Sequence, residues 1–139
     1  RGNVVSTSNV SGAPETLTPV THRVSQAQLV KYANASGDHN PLHLDADFAA
    51  DTPYGKPIAH GMLVLAFVSE LLTKSFGRAW LCGGKLKTRF RAPVYPGDTV
   101  TASGTLKSAT NAQATYTVSV HNQGGEAVIT GEATVPLTA

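Results

Sequence analysis

The feature that most constrains this chain is a run of apolar residues with no polar face. Every residue from Met62 to Val68 is apolar, and Leu71 and Leu72 continue that character. A helix that is apolar on all sides must be buried on most of them. The run is also far shorter than the ~20 residues that a membrane-spanning helix needs. The sequence therefore predicts a helix from Gly61 to about Phe76, ended by Gly77, that the rest of the chain encloses.

The C-terminal half of the chain alternates apolar and polar residues, which is typical of strands with one buried face. The alternation covers residues 85–91, 99–107, 112–122 and 127–135, and turn sequences rich in glycine separate several of these runs. Nearer the N-terminus, a short strand at 20–24 precedes a helix. Ser25 and Gln28 form the capping box that starts this helix, and Gly37 ends it. Together the elements predict an α+β domain in which an antiparallel sheet, built as a consecutive meander, wraps around the apolar helix.

The length of 139 residues suits one domain with its own core. Residues 1–19 are rich in Ser, Thr, Gly and Pro, so we expect a flexible tail ahead of a domain that spans residues 20–139. In that tail only Val4, Val5 and Val10 are expected to pack. Residues 38–57 are polar and broken by prolines, with one short helical segment at 45–50. A loop of this length inside a small domain is typical of a functional segment.

The charge and the N-terminal residues narrow the class of protein. A formal net charge of +2 gives no indication of a basic surface that would bind nucleic acid. The first residues contain no apolar stretch of the kind found in secretory signals. We therefore expect a cytoplasmic protein that neither spans a membrane nor binds nucleic acid.

Two polar clusters carry residue types suited to acid–base chemistry. In the first, Asp38 and His43 lie five positions apart across a proline, with Asn40 between them. A carboxylate and an imidazole on one ordered loop could hold and deprotonate a water that the Asn40 amide orients. Taken alone, Asp38 could equally cap a turn and His43 could be a structural histidine.

The second cluster, His60 and Gly61, lies where the apolar helix begins. A glycine at this point lets a ligand oxygen approach the backbone N–H, where the helix dipole favours negative charge. These are the components of an oxyanion hole. His60 is placed with the substrate-site residues, in the role of fixing the loop beside Gly61.

Longer stretches around both clusters closely resemble a known family. They read YANASGDHNPLHLD over residues 32–45, PIAHGM over 57–62, FRAPVYPGD over 90–98 and TGEA over 130–133. This pattern resembles the hydratase 2 motif of the MaoC-like, (R)-specific enoyl-CoA hydratases, which have the hot dog fold. The likeness extends from about Val20 to Leu137.

The resemblance implies a role for each matching residue. Asp38 and His43 would activate a water that adds to C3 of a trans-2-enoyl thioester, with a proton delivered to C2. Asn40 would position them or the water, the Gly61 N–H would bind the thioester oxygen, and Ser69 would line the acyl pocket or support the acid–base pair. The product would be an (R)-3-hydroxyacyl-CoA, for polyester monomer supply or fatty-acid breakdown. No metal and no cofactor would be required, because the thioester itself acidifies C2.

The resemblance also implies partners. Hot dog domains normally pair edge to edge, so we expect a homodimer, or a heterodimer with a related subunit. The small-molecule partner would be an acyl-CoA thioester. Lys87 and Arg89, on a strand face with two further basic residues, could bind its phosphates or could simply be solvated.

Three other functions stay open at this stage. The chain could be the dehydratase subunit of an acyl-carrier-protein-linked synthesis system. It could be a hot dog acyl-CoA thioesterase, which generally uses a carboxylate from the central helix, where Glu70 lies. It could also be a degenerate acyl-binding module, although the expected mark of such a module, loss of Asp38 or His43, is not found.

Overall fold

The computed structural model describes residues 13–137, and within them the chain forms five strands and five helices. The strands are β1 (Val20–Arg23), β2 (Lys85–Phe90), β3 (Thr99–Ala109), β4 (Gln113–His121) and β5 (Ala127–Pro136). The helices are α1 (Gln26–Ser36), α2 (Pro41–Leu44), α3 (Ala46–Ala50), α4 (Gly61–Phe76) and α5 (Arg78–Gly83). Among residues 13–137, no helix is long and apolar enough to cross a membrane.

The five strands form one antiparallel sheet in the order β1-β3-β4-β5-β2. Strands β3, β4 and β5 are joined by tight connections and pair consecutively, as predicted. The prediction of a consecutive meander is wrong for β2, which pairs with β5 rather than with β3. Strand β2 follows α4 and α5, and these helices carry the chain across the sheet to its far edge.

Helix α4 packs on one face of this sheet and has the predicted bounds. Its sheet-facing side chains are buried: Leu63, Val64, Phe67, Val68, Leu71 and Leu72. They meet the inward residues of β3, β4 and β5, among them Tyr116 and Val118. The burial is one-sided, because Met62 is 60% exposed and Ala66 is also exposed. An apolar stripe on α4 is therefore left at the surface of the single chain.

Residues 13–19, which were predicted to belong to a flexible tail, are part of the packed domain. Ala13 and Leu17 are buried. The backbone of Leu17 donates to the Gly104 carbonyl at 2.9 Å, and a side chain at Gly104 would collide with the Leu17 methyl group. The Tyr116 hydroxyl donates to the Pro14 carbonyl at 2.7 Å. The domain thus begins before residue 20. The expectations for residues 1–12, including the packing of the three valines, lie outside the described residues.

Local sequence signals explain most of the helix ends. The Ser25 hydroxyl accepts from the Gln28 backbone N–H at 3.1 Å and starts α1. The return bond of the predicted capping box is not made, because the buried Gln28 Oε1 has no partner among the described residues. Gly37 ends α1 with φ of +81°, a conformation that glycine adopts without strain. Helices α2 and α5 were not predicted, because each is only one or two turns long and carries little periodicity.

Candidate active site

The two clusters that the sequence singled out meet beside the first turn of α4. The loop that carries α2 lies against residues 58–60, and the Ile58 N–H donates to the Leu42 carbonyl at 3.3 Å. A cavity of about 280 Å³ opens here, next to His43 and Gly61. Its wall is mostly apolar and is formed by His43, Tyr54, Ile58, Ala59, Gly61, Val64, Phe90, Arg91, Ala92, Pro93, Val94, Val128 and Ile129. The arrangement places titratable groups at the wall of a pocket suited to an apolar ligand.

His43 is held with one ring nitrogen engaged and the other unengaged. It is the third residue of α2 and is only 9% exposed. Its Nδ1 lies 2.7 Å from the Ile58 carbonyl oxygen. A carbonyl only accepts, so Nδ1 carries the proton and donates, and the Nε2 of the neutral ring keeps its lone pair. His43 is therefore set up as a general base.

Asp38 and Asn40 form the turn that leads into α2. One oxygen of the exposed Asp38 carboxylate accepts from the Asn40 backbone N–H at 3.2 Å. The Asn40 side-chain oxygen accepts from the Leu42 N–H at 2.9 Å and caps α2, with Pro41 at the first helical position. Asn40 thus positions both Asp38 and the helix that carries His43. The Asn40 side-chain oxygen is already used for the cap.

His60 lies behind His43 rather than in the cavity wall. It is 1% exposed, and its ring stacks on His43 with centroids 3.9 Å apart. Its Nε2 donates to the Asp38 carbonyl at 3.0 Å. Its buried Nδ1 finds no hydrogen-bond partner in the described part of the chain. Burial lowers the pKa of His60, and the nearby His43 ring adds to that effect, so His60 is neutral at physiological pH.

Asp38, His43 and His60 also have the donor types of a zinc site. One donor atom from each lies within 4.8 Å of the other two. However, the two imidazole planes are stacked at an angle of only 28°. An imidazole binds metal in the plane of its ring, so stacked rings direct their lone pairs side by side rather than at a common point. The geometry suits proton transfer through a bridging water better than chelation.

Gly61 is the first residue of α4, and its backbone N–H has no partner within the helix. A Cβ atom at this position would lie 3.1 Å from the Phe90 ring, closer than ordinary contact. Glycine therefore permits Phe90 to lie against the helix terminus at the edge of the cavity. The N–H of Gly61 and the positive end of the helix dipole can stabilise an oxyanion beside His43.

The structure does not bring Ser69 into this site. Ser69 is absent from the residues that line the cavity, and its hydroxyl accepts from the Trp80 indole N–H at 2.9 Å. The acyl-pocket role expected for Ser69 is therefore not supported by the single chain, where the residue joins α4 to α5. Glu70 is also outside the described cavity wall. It bonds His22 of β1 at 2.6 Å, and His22 stacks on Phe67.

Lys87 and Arg89 line a separate surface cavity of about 340 Å³ over β2 and β5. Arg91 lines both cavities and donates to the Thr130 hydroxyl at 2.9 Å. Arg91 belongs to the basic row predicted for residues 85–91, but it was not predicted as a site residue. The sequence signal that could have identified Arg91 is its position directly before Ala92-Pro93, where the alternation of apolar and polar residues ends. Phe90 and Tyr54 were also missed, because their place in the wall depends on tertiary contacts.

An antiparallel sheet packed against one long helix, with a His and a carboxylate near the helix N-terminus, is the arrangement of a hot dog domain. Residues 8–128 match the family model described as "MaoC like domain". The chain belongs to the MaoC-like family.

Individual relatives agree with this assignment. The (R)-specific enoyl-CoA hydratase of Aeromonas caviae is 38% identical over 121 residues, which cover 85% of this chain and 90% of that protein. The protein of the same name from Rhodospirillum rubrum is 35% identical, with 84% and 81% covered. The solved structure of the Aeromonas caviae (R)-hydratase superposes with a TM-score of 0.75 over 87% of this chain and 93% of that one, at 36% identity. The predicted hot dog fold is thereby confirmed.

Proposed function

We propose that this chain catalyses the reversible (R)-specific hydration of trans-2-enoyl-CoA to (R)-3-hydroxyacyl-CoA. The observation that carries the proposal is the His43 ring, which has a nitrogen within 4.8 Å of an Asp38 carboxylate oxygen and whose Nδ1 is bound to the Ile58 carbonyl, so that Nε2 keeps its lone pair. Gly61 lies in the wall of the same cavity, and its backbone N–H has no backbone partner among the described residues. Relatives that bear this activity in their names are similar over most of the chain.

The reaction follows from these groups. A water held between Asp38 and His43 loses a proton to the pair as its oxygen bonds to C3 of the enoyl group. The C2–C3 electrons move towards the thioester carbonyl, and the Gly61 N–H stabilises the developing enolate. A proton from the pair is then delivered to C2. One water is added, and Asp38 and His43 return to their starting protonation states.

No metal or organic cofactor has a step in this scheme. The thioester makes the C2 position acidic, and one well-placed oxyanion donor is typically worth about 3 kcal/mol of transition-state stabilisation. The stacked rings of His43 and His60 do not present a chelating geometry. We expect activity to survive dialysis against a strong chelator.

Two basic residues of β2 and one directly after it support a CoA substrate. Arg91 lies in the walls of both cavities, and Lys87 and Arg89 continue the positive surface away from the acyl site. Guanidinium and ammonium groups bind phosphate through charge-assisted hydrogen bonds. An acyl chain in the first cavity would therefore leave the CoA phosphates near these three side chains. A cytoplasmic location also belongs to this proposal.

A homodimer is part of the proposal as well. Within residues 13–137, strand β2 is paired only with β5, so its other edge has no partner there. Phe90 at the end of β2 is 56% exposed, and it lies against Gly61, next to the exposed Met62. An open strand edge beside exposed apolar side chains is the kind of surface that a second chain covers. A related hot dog subunit in the place of the second copy is the alternative.

The thioesterase alternative has less support. Its carboxylate would be Glu70, which bonds His22 and is not among the residues that line the cavity in the described structure. The dehydratase of a carrier-protein-linked system uses the same chemistry on a different carrier. Comparing a CoA thioester with the matching carrier-protein thioester separates these two substrates.

The test measures the loss of enoyl absorbance when crotonyl-CoA is added to the purified full chain and to two variants, Asp38→Asn and His43→Ala. We expect hydration by the unaltered chain and a fall in kcat of about 10²–10⁴-fold in each variant. His121→Ala is the matched control, since His121 is the last residue of β4 and is not among the residues that line either cavity. The product should resist an (S)-specific 3-hydroxyacyl-CoA dehydrogenase. Release of free CoA, or activity that survives both substitutions, would overturn the proposal.

A further inference from the structure

His60 is a buried polar residue that makes more contacts than are needed to hold the loop against α4. The bond from its Nε2 to the Asp38 carbonyl would be enough to connect the two. The His60 ring also covers one face of His43 and packs against Tyr32, with centroids 4.8 Å apart. Its Nδ1 is buried without a partner in the described residues. A buried acceptor without a partner costs stability.

The contacts of His60 restrict the orientation of the His43 ring and the position of Asp38. The His43 ring is held at one edge by the Ile58 carbonyl and on one face by His60, so its Nε2 can point in one direction only. The same His60 ring holds the backbone of Asp38, whose carboxylate is otherwise exposed. A single side chain thus sets the position of both members of the pair relative to each other.

The neutral state of His60 matters for this arrangement. His43 gains a proton when it activates water, and a cation 3.9 Å from it would oppose that gain. A neutral imidazole gives a rigid aromatic face and a donor without adding charge. Phenylalanine would supply only the face, and glutamine only the donor.

We infer that His60 is a positioning residue of the hydration reaction, which aligns Asp38 and His43 through its Nε2–H bond and its stacked ring. The kinetic consequence rests on the proposed function. The structural consequence, an ordered His43 with its proton on Nδ1, does not. The two can therefore be tested separately.

The experiment compares two complementary variants, His60→Gln and His60→Phe, with the unaltered chain. His60→Gln keeps a side-chain N–H donor and loses the ring, whereas His60→Phe keeps a ring and loses the donor. With crotonyl-CoA we expect kcat to fall about 10–100-fold in each, because small misalignments of reacting groups are costly, and KM to stay within about twofold. His121→Ala again serves as the control and should leave both constants unchanged.

Nuclear magnetic resonance of the imidazole groups provides the readout that is independent of substrate. In the unaltered chain, we expect nuclear Overhauser contacts between the rings of His43 and His60, and a His43 proton on Nδ1. In His60→Gln the ring-current shift of His43 should disappear. Absence of the ring contacts in the unaltered chain would overturn the inference even if a variant failed to fold. Folded variants with unchanged kcat would overturn it as well.

If the unaltered chain proves inactive on enoyl thioesters while the ring contacts and tautomer are as expected, the proposed function fails and the alignment by His60 stands. If the chain is active and the rings are not stacked, the proposed function stands and this inference fails.

Discussion

At the scale of single residues, two histidines in contact differ because different ring nitrogens are engaged. His43 uses Nδ1 to bond Ile58 and keeps Nε2 for chemistry, whereas His60 uses Nε2 to bond Asp38 and leaves Nδ1 buried. Neither arrangement can be read from the residue type. Each depends on a carbonyl group that is distant in sequence.

Gly61 allows the oxyanion donor to be tested at one atom. The residue is the first of α4, where proline is tolerated, and His60 before it has an extended backbone at φ −59° and ψ 131°. Gly61→Pro removes the N–H, and Gly61→Ala keeps it while adding a Cβ near Phe90. We expect kcat of the proline variant to lie about 10²–10³-fold below that of the alanine variant. Equal rates for two folded variants would show that this N–H does not bind the thioester oxygen.

His60 also predicts how stability depends on pH. Burial lowers its folded-state pKa below the ordinary histidine value of 6.5, so below that pH the unfolded chain binds more protons than the folded one. Stability is therefore lost as pH falls through 6.5 towards the folded pKa. The charged or titratable groups that act on His60 are His43, Asp38 and His39. Urea unfolding at pH 7.5 and pH 5.5 should show a smaller pH-dependent loss in His60→Gln than in the unaltered chain, and an equal loss would contradict the burial of a neutral His60.

At the scale of elements, β2 combines an open edge with a basic face. Lys87 and Arg89 are exposed and line the second cavity, whereas Lys85, on the same face of the strand, does not. The pairing with β5 sets Lys87 opposite Glu132, which already bonds Lys107. The Glu132 carboxylate is therefore not available to Lys87 alone.

The double variant Lys87→Gln with Arg89→Gln tests the phosphate site. We expect KM for crotonyl-CoA to rise several-fold with kcat unchanged, because the lost contacts bind substrate and transition state equally. The crotonyl thioester of N-acetylcysteamine, which lacks the phosphates, should show no change in KM. Lys85→Gln is the control for loss of charge. An unchanged KM for the CoA substrate in the double variant would rule the site out.

Ser69 tests the contact between α4 and α5. Trp80 is 7% exposed, and removing the Ser69 hydroxyl leaves its indole N–H without that acceptor. Ser69→Ala should lower the free energy of unfolding by about 1–3 kcal/mol. Activity measured well below the unfolding midpoint should not change. A large loss of kcat with unchanged stability would restore the acyl-pocket role first expected for Ser69.

At the scale of the whole molecule, the exposed side of α4 and the open edge of β2 meet at Gly61 and Phe90. Sedimentation of the purified chain should give twice the mass of one chain. Met62→Glu, which places a charge on the exposed apolar stripe, should shift the equilibrium towards monomer. Val30→Glu is the control, because Val30 is an exposed apolar residue of α1. A monomer in the unaltered chain, or a dimer insensitive to Met62→Glu, would contradict this interface.

Much of the fold was predictable because its signals are local. The bounds of α4 followed from an apolar run between two glycines, and β4 and β5 followed from alternation. The place of β2 in the sheet, the burial of Ala13 and Leu17, and the Trp80 contact of Ser69 were not predictable. Each of these depends on partners that are far away in the sequence.

The sequence by itself determined the membership of the family, the residue types of the site and the helix that forms the core. Short spacings such as that from Asp38 to His43 restrict what a loop can do, and an apolar helix must bury at least one face, as α4 does against the sheet. Only the tertiary structure decided which nitrogen of each histidine is engaged, that His60 lies behind His43, and that Arg91 borders both cavities. The physical reason is that hydrogen-bond direction and ring stacking are set by atoms brought together from separate segments, and no local pattern records them.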